Sequence, residues 1–528
     1  MHSLRSTAAG WLCLVIIFCA CLPGQASALA PKPILYIPLD DRPVCLDYVV
    51  ETMDAAGLTV LTPPKQLLAS RGQDGDPAKL WQWLYGHAAE AEAVVVATDS
   101  LIYGGLVPSR RHTLPAATIA ARAAQFRKLK EEFPRLRIYG MSTLMRTPKQ
   151  SFGGMEPDYY EAYGPNIARL TALLDKEETE GLTPGEKLEI IQQQQFIPTA
   201  VLQDWFLRRQ KNLDVNTALI KLAREQIFHY LVIGKDDNAP LSQTHREARQ
   251  LRQQTADIAL SRFQLVPGVD QLGLVLLVRS IHEKSWKSPY IAVQYADGAG
   301  AATMPLYSDQ KVSESVEAQI FALGCLPASN PQDAQLLLAV NTPNDGLTLE
   351  ANHPSNQAIP SPASQKLADA IAAWTSAGAV PVAVADIAYA NGADNGFLAV
   401  LSANGVLPKL AAYAGWNTAD NKIGYALAQG ILANQTPPEK RAARLQKRLL
   451  DDWAYQANIR RMLMQQYIIP EKLNPYRLGM PARKLQLIVT DEMELFQRNN
   501  PSLDQAPYDY VFPWNRLFEI KITKRTSA

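Results

Sequence analysis

From Pro33 onward, short apolar runs alternate with stretches whose apolar residues recur at helical spacing. That alternation predicts parallel βα units. Residues 34–39, 59–62, 93–97, 137–141 and 230–233 read as successive strands. Helices are predicted over about 46–56, 79–92, 116–132 and 216–226. An insertion rich in helix formers, 151–212, precedes the last of these strands, and its Tyr159, Tyr160 and Tyr163 would either pack together or line a cleft. Beyond a helix at 257–263, the apolar run 272–278 reads as a further strand. Near residue 285 the character changes: 290–295 and 303–307, separated by Asp297-Gly298, read as an antiparallel or edge pair. Alternation resumes with a helix at 313–323 and strands at 335–340, 380–385 and 410–414. A charged helical run, 437–465, and a last strand at 485–490 follow.

The fold class expected is therefore α/β, built from parallel βα units, either TIM-barrel-like or an open parallel sheet. The βα domain would span 33–284, a second α/β portion 285–435, and a helical C-terminal extension 436–528.

Composition adds little that is specific. Of 528 residues, 47% are hydrophobic and 20% charged, and the net charge is +1. A balance so close to neutral gives no reason to expect nucleic acid as a partner. The first 28 residues do change the picture. Arg5, the apolar stretch 11–22 and Ala26-Ser27-Ala28 follow the pattern of a cleaved signal peptide, which predicts a secreted, periplasmic or cell-envelope protein without stable membrane insertion after cleavage. A lipoprotein anchored at Cys21 is the alternative, although Phe18 is bulky where a lipobox usually has leucine. Outside this leader only Cys45 and Cys325 remain, with no zinc-type spacing.

The candidate chemistry lies at the ends of the strands. Five of them run into polar groups: Asp40-Asp41-Arg42, Thr98-Asp99-Ser100, Lys235-Asp236-Asp237-Asn238, Asp386 with Asn391, and Trp416-Asn417-Thr418. Arg146 follows a sixth. In parallel sheets such ends gather on one side, where ligands bind. Asp, Asn, Ser and Thr are also the usual helix N-caps, which accounts for any one of these ends taken alone. Three chemistries fit the set. In glycoside hydrolysis, Asp236 and Asp237 would act as paired acid/base carboxylates and Trp416 would stack on a sugar. Asp40, Asp41, Arg42, Asp99, Arg146, Lys235, Asn238, Asp386, Asn391 and Asn417 would bind a small-molecule or glycan substrate. No cofactor is required by that chemistry. In metal-assisted hydrolysis, Asp40, Asp41, Asp99, Asp236 and Asp237 would hold magnesium, calcium or manganese. The third is a glycan-binding protein without turnover. G-x-G-x-x-G, Walker A and H-E-x-x-H motifs are absent, and Ser151-Phe152-Gly153-Gly154 lacks the pattern of a nucleophile elbow.

Four stretches, P-I-L-Y-I-P-L-D-D-R-P-V, T-D-S-L-I-Y-G-G-L, Y-L-V-I-G-K-D-D-N-A-P and A-Y-A-G-W-N-T, together resemble the bacterial family of unknown function numbered 4127. The likeness runs from Pro33 to about Arg516 and implies no activity. More locally, the strand ending in two aspartates is similar to the paired-aspartate motif of substrate-assisted hexosaminidases, which are TIM barrels. That resemblance implies that Asp236 orients an acetamido group and Asp237 is the general acid/base. Lys235 before the pair, and the second pair Asp40-Asp41, depart from it.

Overall fold

The central strands are apolar on both faces because each face is covered. In β1 (Ile34–Ile37), β3 (Ala93–Ala97) and β5 (Tyr230–Lys235) every residue is buried, as parallel strands between helical layers require. The structure is a computed structural model that describes residues 32–150 and 153–525, so the leader and the Ser151-Phe152 step lie outside the described residues. With β2 (Val60–Leu61), β4 (Arg137–Leu144) and β6 (Phe263–Pro267), these strands form one parallel sheet in the order β2-β1-β3-β4-β5-β6. A second parallel sheet holds β7 (Tyr290–Tyr295), β8 (Leu326–Pro327), β9 (Leu336–Asn341), β10 (Val382–Asp386) and β11 (Ala412–Ala414), in the order β8-β7-β9-β10-β11. In both sheets the second strand lies outside the first and the later strands step away on the other side, the flavodoxin-type winding. Neither sheet closes on itself. Of the two architectures expected, the open parallel sheet is therefore the one formed, twice, and the TIM-barrel alternative is set aside.

The sheets are joined through a shared helical layer. Helices Asp47–Ala55 and Leu272–Lys284 on the first sheet meet Val312–Ala322 and Ala419–Ile431 on the second, and their apolar side chains form one core with both sheets. Outer helices cover the remaining face of the first sheet. Pro362–Ala377, Asn395–Ala403 and the C-terminal helices cover that of the second. The extension ends in an antiparallel pair, β12 (Tyr508–Val511) and β13 (Lys521–Lys524). Among the described residues no helix is long and apolar enough to cross a membrane. Cys45 and Cys325 are free, buried thiols.

Several element assignments change, each for a physical reason. Residues 272–278 are helical because the helix is enclosed between sheets and needs no polar face, so its pattern imitates a buried strand. The 290–295 run is the first strand of a parallel sheet rather than an edge hairpin, and 303–307 is a turn. The 485–490 run belongs to the helix Ala482–Asn499, whose Leu485, Val489, Met493 and Gln497 form a buried stripe at four-residue spacing. The insertion is three helices, Tyr160–Thr179, Pro184–Phe196 and Thr199–Arg224, with Tyr160 buried and Tyr159 and Tyr163 packed against the same small core.

Close approach in the shared layer depends on glycine. A Cβ on Gly273 would stand 2.2 Å from the hydroxyl of buried Tyr36, and one on Gly424 would stand 2.3 Å from Gln271. Gly273→Ala is expected to lower stability to urea by about 1–3 kcal/mol, the usual cost of overpacking, despite alanine's better helix propensity; an unchanged or raised unfolding midpoint would show that Tyr36 yields freely.

Candidate functional site

At the end of β1 the chain turns so that Arg42 folds back on Asp40. The Arg42 guanidinium donates to both Asp40 oxygens at 2.9 Å and to Asp270, after β6, at 2.7 and 3.2 Å. Asn417, at the end of β11 in the other sheet, donates its amide to the same Asp270 carboxylate at 2.7 Å. The carboxyl ends of the two sheets are thus tied together through one aspartate. Burial opposes the charge on Arg42, but Asp270 and Asp40 together hold its pKa well above the usual arginine value. Asp41 faces outward to the C-terminal extension, accepting from the Trp514 indole at 2.7 Å and lying 3.6 Å from the Lys65 ammonium. Burial raises its pKa, and these two partners oppose the shift.

A second network surrounds the Asp236-Asp237 pair beyond β5. Asp236 is buried and ion-paired with buried Arg110. Asp237 is paired with Arg146 at 2.7 Å, and its side chain keeps 29% exposure. Glu156, from the start of the insertion, accepts from Arg146 at 2.6 Å and lies 3.6 Å from Arg110, so it links the two pairs. The neighbouring carboxylates separate because Asp237 adopts a left-handed backbone (φ 32°), which supplies the kink that a regular strand would not. Burial, then the Asp236 charge, raise the pKa of Asp237, while Arg146 and Arg110 oppose that rise. Behind Arg146, buried Arg209 donates to the carbonyls of Met145 and Arg146 at 2.7 and 2.8 Å and pairs with Glu247. The helical insertion therefore fixes the backbone from which Arg146 projects.

The second sheet meets this network edge to edge. Asn238 donates its backbone N–H to the carbonyl of Tyr307 at 3.0 Å. The Tyr307 hydroxyl donates to Glu350 at 2.5 Å, and the Asn391 amide donates to Glu350 at 3.0 Å. Asn391 in turn donates its N–H to the Asn417 carbonyl at 3.0 Å. Asp237, Tyr307, Asn391 and Asn417 are all non-glycine residues with positive φ. Such strain gathers where surrounding structure holds it for a purpose.

Other strand-end residues are placed in the frame itself. Asp386 is fully buried and accepts from Asn341, from the Tyr413 hydroxyl and from the N–H of Asp394, so it shapes the loop after β10. Lys235 is wholly buried, its ammonium on Asp309 and Gln310 of the second half. The Asn238 side chain accepts from Ser242. Trp416 is buried against Phe518, ring centroids 5.5 Å apart, and offers no open face for a sugar. Asp99 is buried and accepts from the N–H of Thr143 at 3.0 Å; burial pushes its pKa up to about 7. The extension contributes a π-helical stretch, Leu449–Ile459, in which Asp452 accepts from the N–H of Gly415 at 2.6 Å and Asp451 from the Tyr48 hydroxyl at 3.1 Å. These two carboxylates fasten the extension to both halves, at a helix irregularity of the kind often found near functional sites.

Among the described residues no group of three or more His, Cys, Asp or Glu side chains is arranged to hold a metal ion. The aspartates proposed as ligands face cations or N–H donors instead: Asp40 meets Arg42, Asp41 meets Lys65 and Trp514, Asp236 meets Arg110 and Asp237 meets Arg146.

Residues 34–523 match the family described as Protein of unknown function (DUF4127). The chain belongs to that family. No curated protein matches it. The match includes both sheets and most of the extension, so the joined strand-end edges belong to the family's own fold. The local likeness to hexosaminidases gains no support: their motif sits in a closed barrel, whereas β5 lies in an open sheet.

Four residues of this site, Arg110, Glu156, Tyr307 and Glu350, carry no strand-end signal in the sequence. Asp270 does follow a strand, β6, but the apolar pattern points to a strand at 272–278 instead, which would place Asp270 before it.

Removing Arg110 would leave the Asp236 charge buried and unpaired. Arg110→Ala is expected to cost about 3–5 kcal/mol in denaturant unfolding; a loss below about 1 kcal/mol would mean that Asp236 is neutral or resolvated. Asp99 gives a pH signature. Its folded pKa lies above the unfolded value, so the unfolded chain releases its proton first. The resulting destabilisation is absent below about pH 4 and grows until pH passes about 7. Asp99→Asn, which keeps an acceptor for Thr143, should therefore gain on the parent by a few kcal/mol, to order of magnitude, between pH 4 and pH 8. Parallel stability–pH curves for the two would contradict this.

Proposed function

We propose that the chain is an exported hydrolase of carbohydrate, with an amino sugar or cell-wall glycan as substrate, in which Asp237 is the general acid/base. Asp236, fixed by Arg110, holds the shape and charge of the site around it. The observation that supports this best is the unequal placement of the two neighbours: Asp236 is buried and neutralised, while Asp237 is turned toward solvent on a strained backbone. A carboxyl group whose pKa is raised by burial and a like charge keeps its proton at higher pH, as a general acid must. Tyr307, 40% exposed next to this loop, is an aromatic surface for a sugar in place of buried Trp416. Export rests on the leader-like first 28 residues.

Asp237→Asn is expected to lower kcat/KM on chromogenic N-acetylhexosaminides or muropeptides by about 10²–10⁴-fold. Activity of the parent that needs protonated Asp237 should fall as pH rises through its raised pKa, and the variant should lose that limb. Undiminished turnover by the variant would remove Asp237 from the chemistry.

A further inference from the structure

Hydrolysis of a glycosidic bond ordinarily uses two carboxyl groups, one giving a proton to the leaving oxygen and one acting on the opposite side of the sugar. Asp236 is poorly placed for the second role, because it is buried and consumed by Arg110. Asp40 is enclosed by Arg42 and Asp386 by Asn341 and Tyr413. Glu156 is buried between Arg146 and Arg110. The partly exposed carboxylate linked to Asp237 belongs to the other half of the molecule. Glu350 lies in a short parallel pairing, Leu349–Glu350 with Tyr389–Ala390, between the loops that follow β9 and β10, and it is partly exposed.

Three features link Glu350 to Asp237. Tyr307 spans them: its carbonyl accepts from Asn238, the residue after Asp237, and its hydroxyl donates to Glu350. The phenol feels the charges of both carboxylates, which, after burial, raise its pKa. Asn391 is only 7% exposed, donates its amide to Glu350, and leaves its carboxamide oxygen without a protein partner beside the same carboxylate. An acceptor left open at that depth suits a sugar hydroxyl or acetamido N–H. Each of Asp237, Tyr307 and Asn391 is held in left-handed backbone geometry, so the surrounding fold sustains strain at all three.

We propose that Glu350 is the second catalytic carboxylate, the base that activates water, and that the sugar lies between the two sheets along Tyr307 with Asn391 as a hydrogen-bond partner. This rests on the hydrolase assignment of Asp237. In the step, the water oxygen bonds to the anomeric carbon as Glu350 takes a proton from the water. The bond from that carbon to the leaving oxygen breaks, and Asp237 passes its proton to that oxygen. One water is consumed, and exchange with solvent restores both carboxyl groups.

The test compares wild type, Glu350→Gln, Glu350→Ala and Asp237→Asn on activated aryl N-acetylhexosaminides and muropeptides, with and without sodium azide. Glu350→Gln keeps one acceptor oxygen, the one that stands 2.5 Å from the Tyr307 hydroxyl and 3.3 Å from the Asn391 amide, so a melting temperature close to that of wild type is expected and shows the site intact. Turnover by Glu350→Gln should drop by about 100-fold or more with little change in KM. Azide should restore turnover by Glu350→Ala and yield a glycosyl azide, because an anionic nucleophile needs no base. Near-normal turnover by Glu350→Gln, or no azide product from Glu350→Ala while wild type is active, overturns the Glu350 assignment and leaves Asp237 standing. A wild type that cleaves none of these substrates overturns the hydrolase reading, and Glu350's role with it.

Discussion

Asp270 and the two side chains that converge on it set the geometry on which the candidate site depends. A buried guanidinium is costly unless nearly all its donors are used, and Arg42 uses them on Asp40 and Asp270. With that charge neutralised, Asp270 still has an oxygen to accept from Asn417 of the second sheet. The loops after β1, β6 and β11 therefore meet at one carboxylate. Loss of any member would leave a buried charge or donor unmatched, which favours one arrangement of the two edges over compact alternatives.

The shared helical layer makes this meeting possible. Two sheets of the same winding pack through helices that follow their first and last strands, so the carboxyl edges of both come to one side. Groups from one half complete pairs in the other: the Lys235 ammonium with Asp309, the Asn238 backbone N–H with the Tyr307 carbonyl, and the Tyr425 hydroxyl with the carbonyls of Val44 and Asp270. The extension closes the assembly from outside, with Trp514 on Asp41, Arg460 on the Asn391 carbonyl and Phe518 on Trp416. None of the three portions presents the site alone.

Burial divides the charged groups into two kinds. Asp40, Arg42, Asp236, Arg110, Lys235 and Asp386 are enclosed and matched, and they define positions. Asp237, Arg146, Tyr307 and Glu350 are reachable from solvent, and they lie in one chain of contacts that passes through Asn238. Polar residue type does not separate these kinds; solvent access does.

The parallel βα class, the strands that build most of both sheets and the polar strand ends are legible along the chain, because alternation of buried runs and helical spacing is a local property. The sequence also marked the Asp236-Asp237 pair. It misassigned 272–278, since a helix buried on every side loses the polar face by which helices are recognised, and 485–490, where a short apolar window hid a four-residue period. That the sheets stay open, that Trp416 is covered while Tyr307 is not, and that Asp270, Arg110, Glu156 and Glu350 join the site follow from the three-dimensional packing. These depend on which residues far apart in the chain share a buried contact, and hydrophobic periodicity contains no such information.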